Sequence, residues 1–440
     1  MANLQTTRGV DVAVIGAGAA GLAAAARLTA AHWSVILIEA RDRIGGRCWT
    51  LHEAGLGVPV ELGAEFIHGS PATTFSALKQ GGMVAVDAGE EHWYRDNGTL
   101  SRKSAFRQIR RAIGTSALLD ARDMTFSAYL ARARGTELDA DAVAAARRMV
   151  EGFDGADPRR ISARSVRDEW AEALGGAQSR PLGGYDGVMA ALLRRASPHT
   201  FQLRLNSVVR SVEWSGGHVV VRGSRLGRPF IFSAARAIVT LPLGVLQTGS
   251  ARGVRFTPPL STKRDALHAL SAGAVLKIVM QFRGAFWETI DGARYRDAAF
   301  FHSWRAPFRT MWTTVPLRST LVTAWAGGPP ALKLIARRRD EQIAAAVMSV
   351  QSCFRARVDV RAQLQNAWLH EWQRDPFARG AYSYVNAGGA GAREELAAPL
   401  DGTLFFAGEA TDYSGESGTV AAALESGERA AREVIEATAR

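Results

Sequence analysis

Val10-Asp11-Val12-Ala13-Val14-Ile15-Gly16-Ala17-Gly18-Ala19-Ala20-Gly21, followed by Leu22 to Ala30 and then Val35-Ile36-Leu37-Ile38-Glu39, decides the fold. An apolar strand runs into a Gly-x-Gly-x-x-Gly turn, an Ala-rich helix follows, and a second strand ends on an acid 18 residues beyond Gly21. Gly16 permits the tight turn, Gly18 lets backbone approach a pyrophosphate, and Gly21 lets helix and strand pack closely. The helix start at Ala19 and Ala20 turns its free N–H groups toward phosphate. Glu39 is placed to accept hydrogen bonds from ribose hydroxyls. The pattern predicts an α/β, Rossmann-like dinucleotide-binding domain.

The residues after Glu39 select the dinucleotide. Arg41-Asp42-Arg43-Ile44-Gly45-Gly46-Arg47 adds two glycines and an arginine where a second loop would wrap the pyrophosphate. NAD-only folds have no need of that loop, so the run points to FAD. The competing reading is an ordinary glycine turn between solvated arginines.

Composition bounds the rest. A chain of 440 residues, 47% hydrophobic, suits two interlocked domains. No apolar run reaches membrane-spanning length, and Met1 to Arg8 carries no apolar signal core, so a cytoplasmic protein without a membrane span is expected. Cys48 and Cys353 lie far apart and read as free thiols, with no metal site. The formal charge is +12, yet only five of the 54 basic residues are lysines and the arginines are scattered through Ala-rich stretches such as Leu130 to Arg148. That describes a solvated arginine-rich surface, and no nucleic-acid partner is expected.

Along the chain the pattern is interleaved. Residues 87–180 read as mostly helical, with charges on one face and Ala, Leu and Met on the other. Pro181 to Gly187 is a Gly-rich loop opening a short helix. Gln202 to Val212 and His218 to Arg222 alternate like paired strands, and Ala237 to Pro242 is a buried strand. Four strand-like runs follow a Pro-Pro break: Ala274 to Phe282, Ala298 to Trp304, Arg309 to Val315 and Ser319 to Trp325. A helix is expected near Glu341 to Phe354. Leu404 to Gly408 reads as a last strand, and Thr419 to about Glu436 as a closing helix. The half of the chain from Phe256 onward carries six of the 11 tryptophans, which suggests a sheet with one face on a substrate cavity.

Taken with Gly16 to Gly46, several ordered stretches make the chain resemble the flavin-containing amine oxidase family, which includes monoamine oxidases, polyamine oxidases and lysine-specific histone demethylases. Glu61-Leu62-Gly63-Ala64-Glu65-Phe66-Ile67-His68-Gly69 resembles the strand beside the isoalloxazine ring in polyamine oxidases. Leu205 to Val209 resembles the segment whose valine, here Val208, meets the adenine. Trp372-Gln373-Arg374-Asp375-Pro376 with Gly380 to Tyr384, and Phe406 to Thr411 with Gly418-Thr419-Val420, resemble the C-terminal flavin motifs. The resemblance implies a Rossmann-like FAD-binding domain of GR2 type, residues 1–86, 181–255 and 371–440, interleaved with an α+β substrate-binding domain, residues 87–180 and 256–370. Its implied cofactor contacts are Gly16, Gly18, Ala19, Ala20, Gly21, Glu39, Arg41, Gly46, Arg47, Gly63, Ala64, Glu65, Val208, Gly408, Glu409, Thr419 and Val420.

Departures from the family pattern narrow the expectation. Ala381 replaces the cysteine that links flavin covalently in monoamine oxidases, implying non-covalent FAD. Thr419 replaces their second cage tyrosine, as in the polyamine oxidase and demethylase branch. Phe66 stands where L-amino-acid oxidases carry a carboxylate-binding arginine. No helical-hairpin insertion of the histone demethylases is present, so their chromatin role is not carried over.

Lys277 sits in the apolar run Ala274 to Met280, and a lysine there is costly without a partner. The bland alternative is a snorkelling lysine at a strand end. The resemblance puts it beside flavin N5, where it would assist reoxidation. Tyr382 and Trp372 would form aromatic walls that attract a cation by about 0.5 to 2 kcal/mol and exclude water, or else pack as core. Glu65 and Glu416 are candidates for holding a distant ammonium, although Glu416 reads better as a solvated surface acid; the resemblance puts His68 where it would touch the amine, the alternative being a satisfied structural histidine. Lys277, Tyr382, Trp372, His68 and Glu65 are thus the expected catalytic set. The expected activity is oxidation of a polyamine or related amine by hydride transfer to flavin, with O2 giving peroxide; oligomeric state stays open. A same-fold dehydrogenase or desaturase, a monoamine or amino-acid oxidase, and a non-catalytic flavoprotein are the alternatives.

Overall fold

The computed structural model describes residues 5–6, 9–96, 99–102, 106–172, 178–249, 253–354 and 357–438. Of the opening segment Met1 to Arg8, only Gln5 and Thr6 fall among them. Two sheets organise the chain. In the first, Phe201–Arg204, Val35–Ile38, Val10–Ile15, Arg228–Val239 and Leu404–Phe406 pair in parallel. All of Val10–Ile15 beyond Asp11 is buried, as is the whole of Val35–Ile38, the apolar signature of a sheet covered on both faces. The helices Ala19–Ala30 and Val420–Glu436 pack on it and against each other. An antiparallel hairpin, Ser207–Ser215 with His218–Arg225, extends this sheet through the long strand Arg228–Val239.

The second sheet runs in the order Leu364–Leu369, Val275–Phe282, Leu321–Gly327, Thr310–Thr313, Phe300–Ser303, His92–Asp96, Thr99–Ser101. Neighbours are antiparallel except that Phe300–Ser303 runs parallel to His92–Asp96. Its hidden face is filled by Leu276, Ile278, Met280, Phe301 and Met311 against the helix Arg339–Phe354. Helices between Phe106 and Glu172 form a separate apolar cluster around Phe126, Tyr129, Val150 and Trp170. Both cysteines are free and buried.

Two sequence expectations are corrected. The stretch from Asp87 does not begin helical: His92-Trp93-Tyr94 and Thr99-Leu100-Ser101 are strands, as aromatic and β-branched residues favour when half-buried. The run from Gln202 to Val212 is two strands. Asn206, at φ 56°, breaks it, so that Phe201–Arg204 pairs with Val35–Ile38 while Ser207–Ser215 turns into the hairpin.

The packing of the two long helices makes a stability prediction. A Cβ on Gly427 would lie 2.2 Å from the carbonyl oxygen of Ala20. Alanine gains up to about 1 kcal/mol over glycine inside a helix, but overpacking against fixed backbone costs about 1 to 3 kcal/mol. Gly427→Ala is therefore expected to lower the unfolding free energy by about 1 to 2 kcal/mol in urea titration; a stabilised variant would show that the helices separate freely.

Candidate active site

A cavity of about 2360 Å³ runs from the glycine turn of the first sheet to the open face of the second. Every residue singled out above as a cofactor or catalytic candidate lines it except Gly21. Gly21 lies beneath, where a Cβ would meet the Gly16 carbonyl oxygen at 1.9 Å.

The glycine loops form one backbone floor. Gly16 has φ 109° and Gly46 φ 58°, values that favour glycine. Gly45 N–H donates to the Ala17 carbonyl at 2.8 Å, and a Cβ on Gly46 would stand 3.3 Å from the Cα of Gly18. No side chain caps the helix that starts at Ala19. Bare backbone and an uncapped helix start suit a pyrophosphate, so these residues fit a dinucleotide. Glu39 accepts from Ala17 N–H and Arg41 N–H, both at 2.9 Å, locking strand end to loop. Val208 lies on the same wall.

Arg41 and Arg47 do structural work beside this floor. Arg41 pairs with Asp375 at 2.7 Å, tying the second glycine loop to the Trp372–Pro376 segment. Burial raises Asp375, but His370 and Arg41 outweigh it and hold the carboxyl well below its usual range. Arg47 pairs with Glu409 at 3.0 Å and donates to the Ala381 carbonyl. Glu409 also accepts from the Ser383 N–H and hydroxyl. Gly63 abuts Arg47, since a Cβ there would stand 1.8 Å from the Arg47 carbonyl oxygen. Ala64 N–H donates to that same oxygen at 3.2 Å. Gly408, at φ 124°, turns the last strand toward the cavity. Thr419 caps the closing helix, accepting from Ala422 N–H at 3.0 Å, with Val420 as its first residue.

The partner that Lys277 requires is Glu65. Its Nζ lies 2.7 Å from one Glu65 oxygen and donates to the Gly63 carbonyl at 3.1 Å. The other Glu65 oxygen accepts from Arg180 and from the Trp312 indole, each at 2.9 Å. Burial pushes the Glu65 carboxyl up, but Lys277 and then Arg180 outweigh it and hold it at about 2. The expectation that Glu65 receives a distant ammonium is thereby corrected: two cations and an indole already claim its oxygens. Arg180 is equally committed, to Glu65, Thr313 and Val315, while it lies over the Phe66 ring.

The second sheet turns a wall of rings toward the cavity. His92 stacks on Phe300 at 4.4 Å, Tyr94 on His302 at 4.5 Å, and His92 Nδ1 meets His302 Nε2 at 3.0 Å. Burial lowers His92 to about 4 and, helped by His92, takes His302 well below its ordinary value, so this wall is neutral at physiological pH. His68 packs between Phe66 and Phe153 and is lowered by burial alone. Trp372 is pinned by donating its indole N–H to the Leu62 carbonyl at 3.0 Å, so it backs the Gly63 segment, which is irregular backbone between the short strands Val60–Glu61 and Ile67–His68 and not the continuous strand expected over Glu61 to Gly69. Tyr382 donates its hydroxyl to the Phe153 carbonyl. Burial, then Asp154 and Glu169, push its phenol up. Arg180 and Trp312 escaped the sequence reading because only tertiary contact with Glu65 marks them; so did Asp154 and Glu169.

Comparison with known proteins follows this geometry. The profile described as flavin containing amine oxidoreductase matches residues 19–435. Lysine-specific histone demethylase 2 of Homo sapiens is 28% identical over 91% of the chain and 50% of its own length. Polyamine oxidase 2 of Arabidopsis thaliana is 28% identical over 93% of the chain and 84% of its own length. The chain spans about half the length of the curated demethylases it matches. Among solved structures, a putrescine oxidase bound to putrescine superposes with TM-score 0.79 at 20% identity, over 98% of this chain and 100% of that one. Cyclohexylamine oxidase from Brevibacterium oxydans IH-35A gives 0.80 at 21%, with the same coverage. At these identities the two structures establish the fold.

The buried ion pair sets a pH dependence. The folded Glu65 value of about 2 lies below its ordinary 4.5, so its contribution is fully present above about 4.5 and is lost as pH falls toward 2. Glu65→Gln leaves Lys277 without its counter-charge and is expected to cost about 3 kcal/mol at pH 7, with a shallower acid limb in thermal melts. Parallel wild-type and variant acid limbs would contradict it.

Proposed function

The chain belongs to the flavin containing amine oxidoreductase family, and from that premise we propose that it is an oxidase of polyamines or related primary and secondary amines that holds FAD without a covalent bond. The observation that carries this reading is the Lys277–Glu65 pair opening onto a cavity with glycine loops at one end and neutral aromatic rings at the other. Ala381 offers no thiol to link a flavin. Residues 1–86, 181–255 and 371–440 would hold FAD through Gly16, Gly18, Ala19, Ala20, Glu39, Arg41, Gly46, Arg47, Val208 and Gly408. Residues 87–180 and 256–370 would shape the substrate end.

The chemistry FAD supplies when bound is acceptance of a hydride from the carbon beside the amine nitrogen and delivery of the electrons to O2. Hydride leaves that carbon readily only when the nitrogen is neutral. An alkylamine titrates at about 10.4, so a drop of about 3 units, or about 4 kcal/mol, is required near pH 7. The walls favour that drop by desolvation: Phe66, Phe300, Trp312 and Tyr382 remove water, and the neutral His92 and His302 bring no negative charge that would hold the amine protonated. Lys277, fixed by Glu65 and the Gly63 carbonyl, keeps N–H donors at the wall, and we assign it to proton handling in the oxygen half-reaction. Arg180, the arginine seen over Phe66 among the described residues, is fully engaged by Glu65, Thr313 and Val315 and so is not offered to an amino-acid carboxylate, which favours simple amines.

Anaerobic titration of the flavin absorbance with spermine, spermidine, putrescine, benzylamine and an L-amino acid, followed by air, tests the proposal. Bleaching by a polyamine and recovery with peroxide are expected. No bleaching by any amine would end the amine reading, and bleaching without peroxide would favour a dehydrogenase. Lys277→Met should retain FAD and amine reduction yet reoxidise about 100-fold more slowly; unchanged oxygen kinetics would remove its assigned role.

A further inference from the structure

With Glu65 withdrawn as an ammonium site, another carboxylate on the same cavity remains to be explained. Asp154 lines the cavity wall yet is only 7% exposed. Its Oδ1 accepts weakly from the Trp170 indole at 3.4 Å, and its Oδ2 makes no hydrogen bond. Among the described cavity residues it is the carboxylate with a buried oxygen that has neither a hydrogen bond nor an ion pair; Glu409 Oε1, its nearest analogue, pairs with Arg47. Leaving a carboxylate oxygen buried and unmatched is costly, so the position asks for a ligand that the chain does not supply.

We infer that Asp154, with Glu169 behind it, receives the second cationic nitrogen of a diamine or polyamine and so sets the preference for such amines over monoamines. This rests on the amine reading above and names the residue that would discriminate within it. The two acids come from different elements. Asp154 follows the helix Ala140–Gly152, and Glu169 belongs to the helix Ala163–Glu172, lines the same cavity and is held by the Ser165 and Ser417 hydroxyls. Arg110 is the cation facing them; its guanidinium donates to the Trp170 carbonyl and offsets Asp154 only in part. Burial, then Glu169, raise the Asp154 carboxyl well above its ordinary range, against the Trp170 indole and Arg110. A cation seated there reverses that balance and drives a proton off.

The placement relative to Lys277 suits a short linear amine. A Cβ on Gly155, next in the chain, would stand 3.3 Å from the Tyr382 hydroxyl and 3.3 Å from the Val275 side chain. Val275 and Lys277 share one face of one strand, about 7 Å apart at roughly 3.4 Å per residue. Asp154, the neighbour of Gly155, therefore lies toward the Val275 end of that strand and close enough to Tyr382 to act on its phenol, so that an alkyl chain along this wall would join an amine at the lysine end to an ammonium at Asp154.

Binding to the dithionite-reduced holoenzyme under argon, where no turnover occurs, isolates this role. Calorimetry with butane-1,4-diamine and with butylamine should show a wild-type preference for the diamine of about 10- to 100-fold, collapsing to within about 2-fold in Asp154→Asn. A preference kept in the variant, or absent in the wild type, overturns the inference. Should the variant lose FAD or fold, the wild type still decides. Enthalpies in two buffers of different ionisation heat must show more protons released with the diamine than with butylamine, and equal release overturns it. If amines bleach the oxidised flavin without diamine preference, this inference fails alone; if the preference stands but no amine bleaches the flavin, the oxidase reading fails instead.

Discussion

The contact between Lys277 and Glu65 holds the two halves of the molecule in register. Glu65 belongs to the segment that crosses from the nucleotide sheet, while Lys277 and Trp312 sit on the second sheet and Arg180 on the return strand before the Gly-rich loop. A carboxylate buried beside one cation would be a poor anchor, because its second oxygen would still need a donor. Here both oxygens are met, and the lysine has the Gly63 carbonyl besides. This knot lies on the wall of the cavity, where the segment after the nucleotide sheet meets the second sheet.

Around that knot the polar groups divide by task. Glu39, Arg41, Arg47, Asp375 and Glu409 spend their charge on each other and on backbone, so the glycine loops are tied in place by contacts within the chain. The substrate end is built the opposite way. Its histidine rings are neutral, and among the described cavity residues the Asp154 carboxylate keeps an oxygen without a partner. A floor satisfied internally and a wall left with one unmet acceptor separate cofactor retention from substrate choice.

How much of this was legible in the sequence depended on how local the constraint was. Gly21 could be read outright because the clash that excludes a side chain there is with the Gly16 carbonyl oxygen, five positions away, whereas the atoms nearest a Cβ on Gly16 and Gly18 belong to Thr240 and Gly46 and only the motif marks those two. Lys277 could be read as needing a partner, since a lysine among Ala274, Leu276 and Ile278 stands out in any sequence. Which carboxylate would meet it could not: Glu65 lies far away in the chain and was taken for a substrate ligand. Asp154 gave no signal at all, because an aspartate before Gly155 reads as a turn and only the fold reveals that its oxygen is dry. The strands at His92 and Thr99 were hidden inside a helical stretch because they are short and lie next to it.

The burial of Cys48 bears on durability. It sits on the cavity wall beside the second glycine loop, where burial pushes its thiol up to about 12. Attack on peroxide needs the thiolate, and a thiol so far from ionisation reacts slowly. An oxidant formed in the cavity would thus leave this sulfur largely untouched, and oxidative wear would fall first on exposed methionines, of which Met348 stands most open among the described residues.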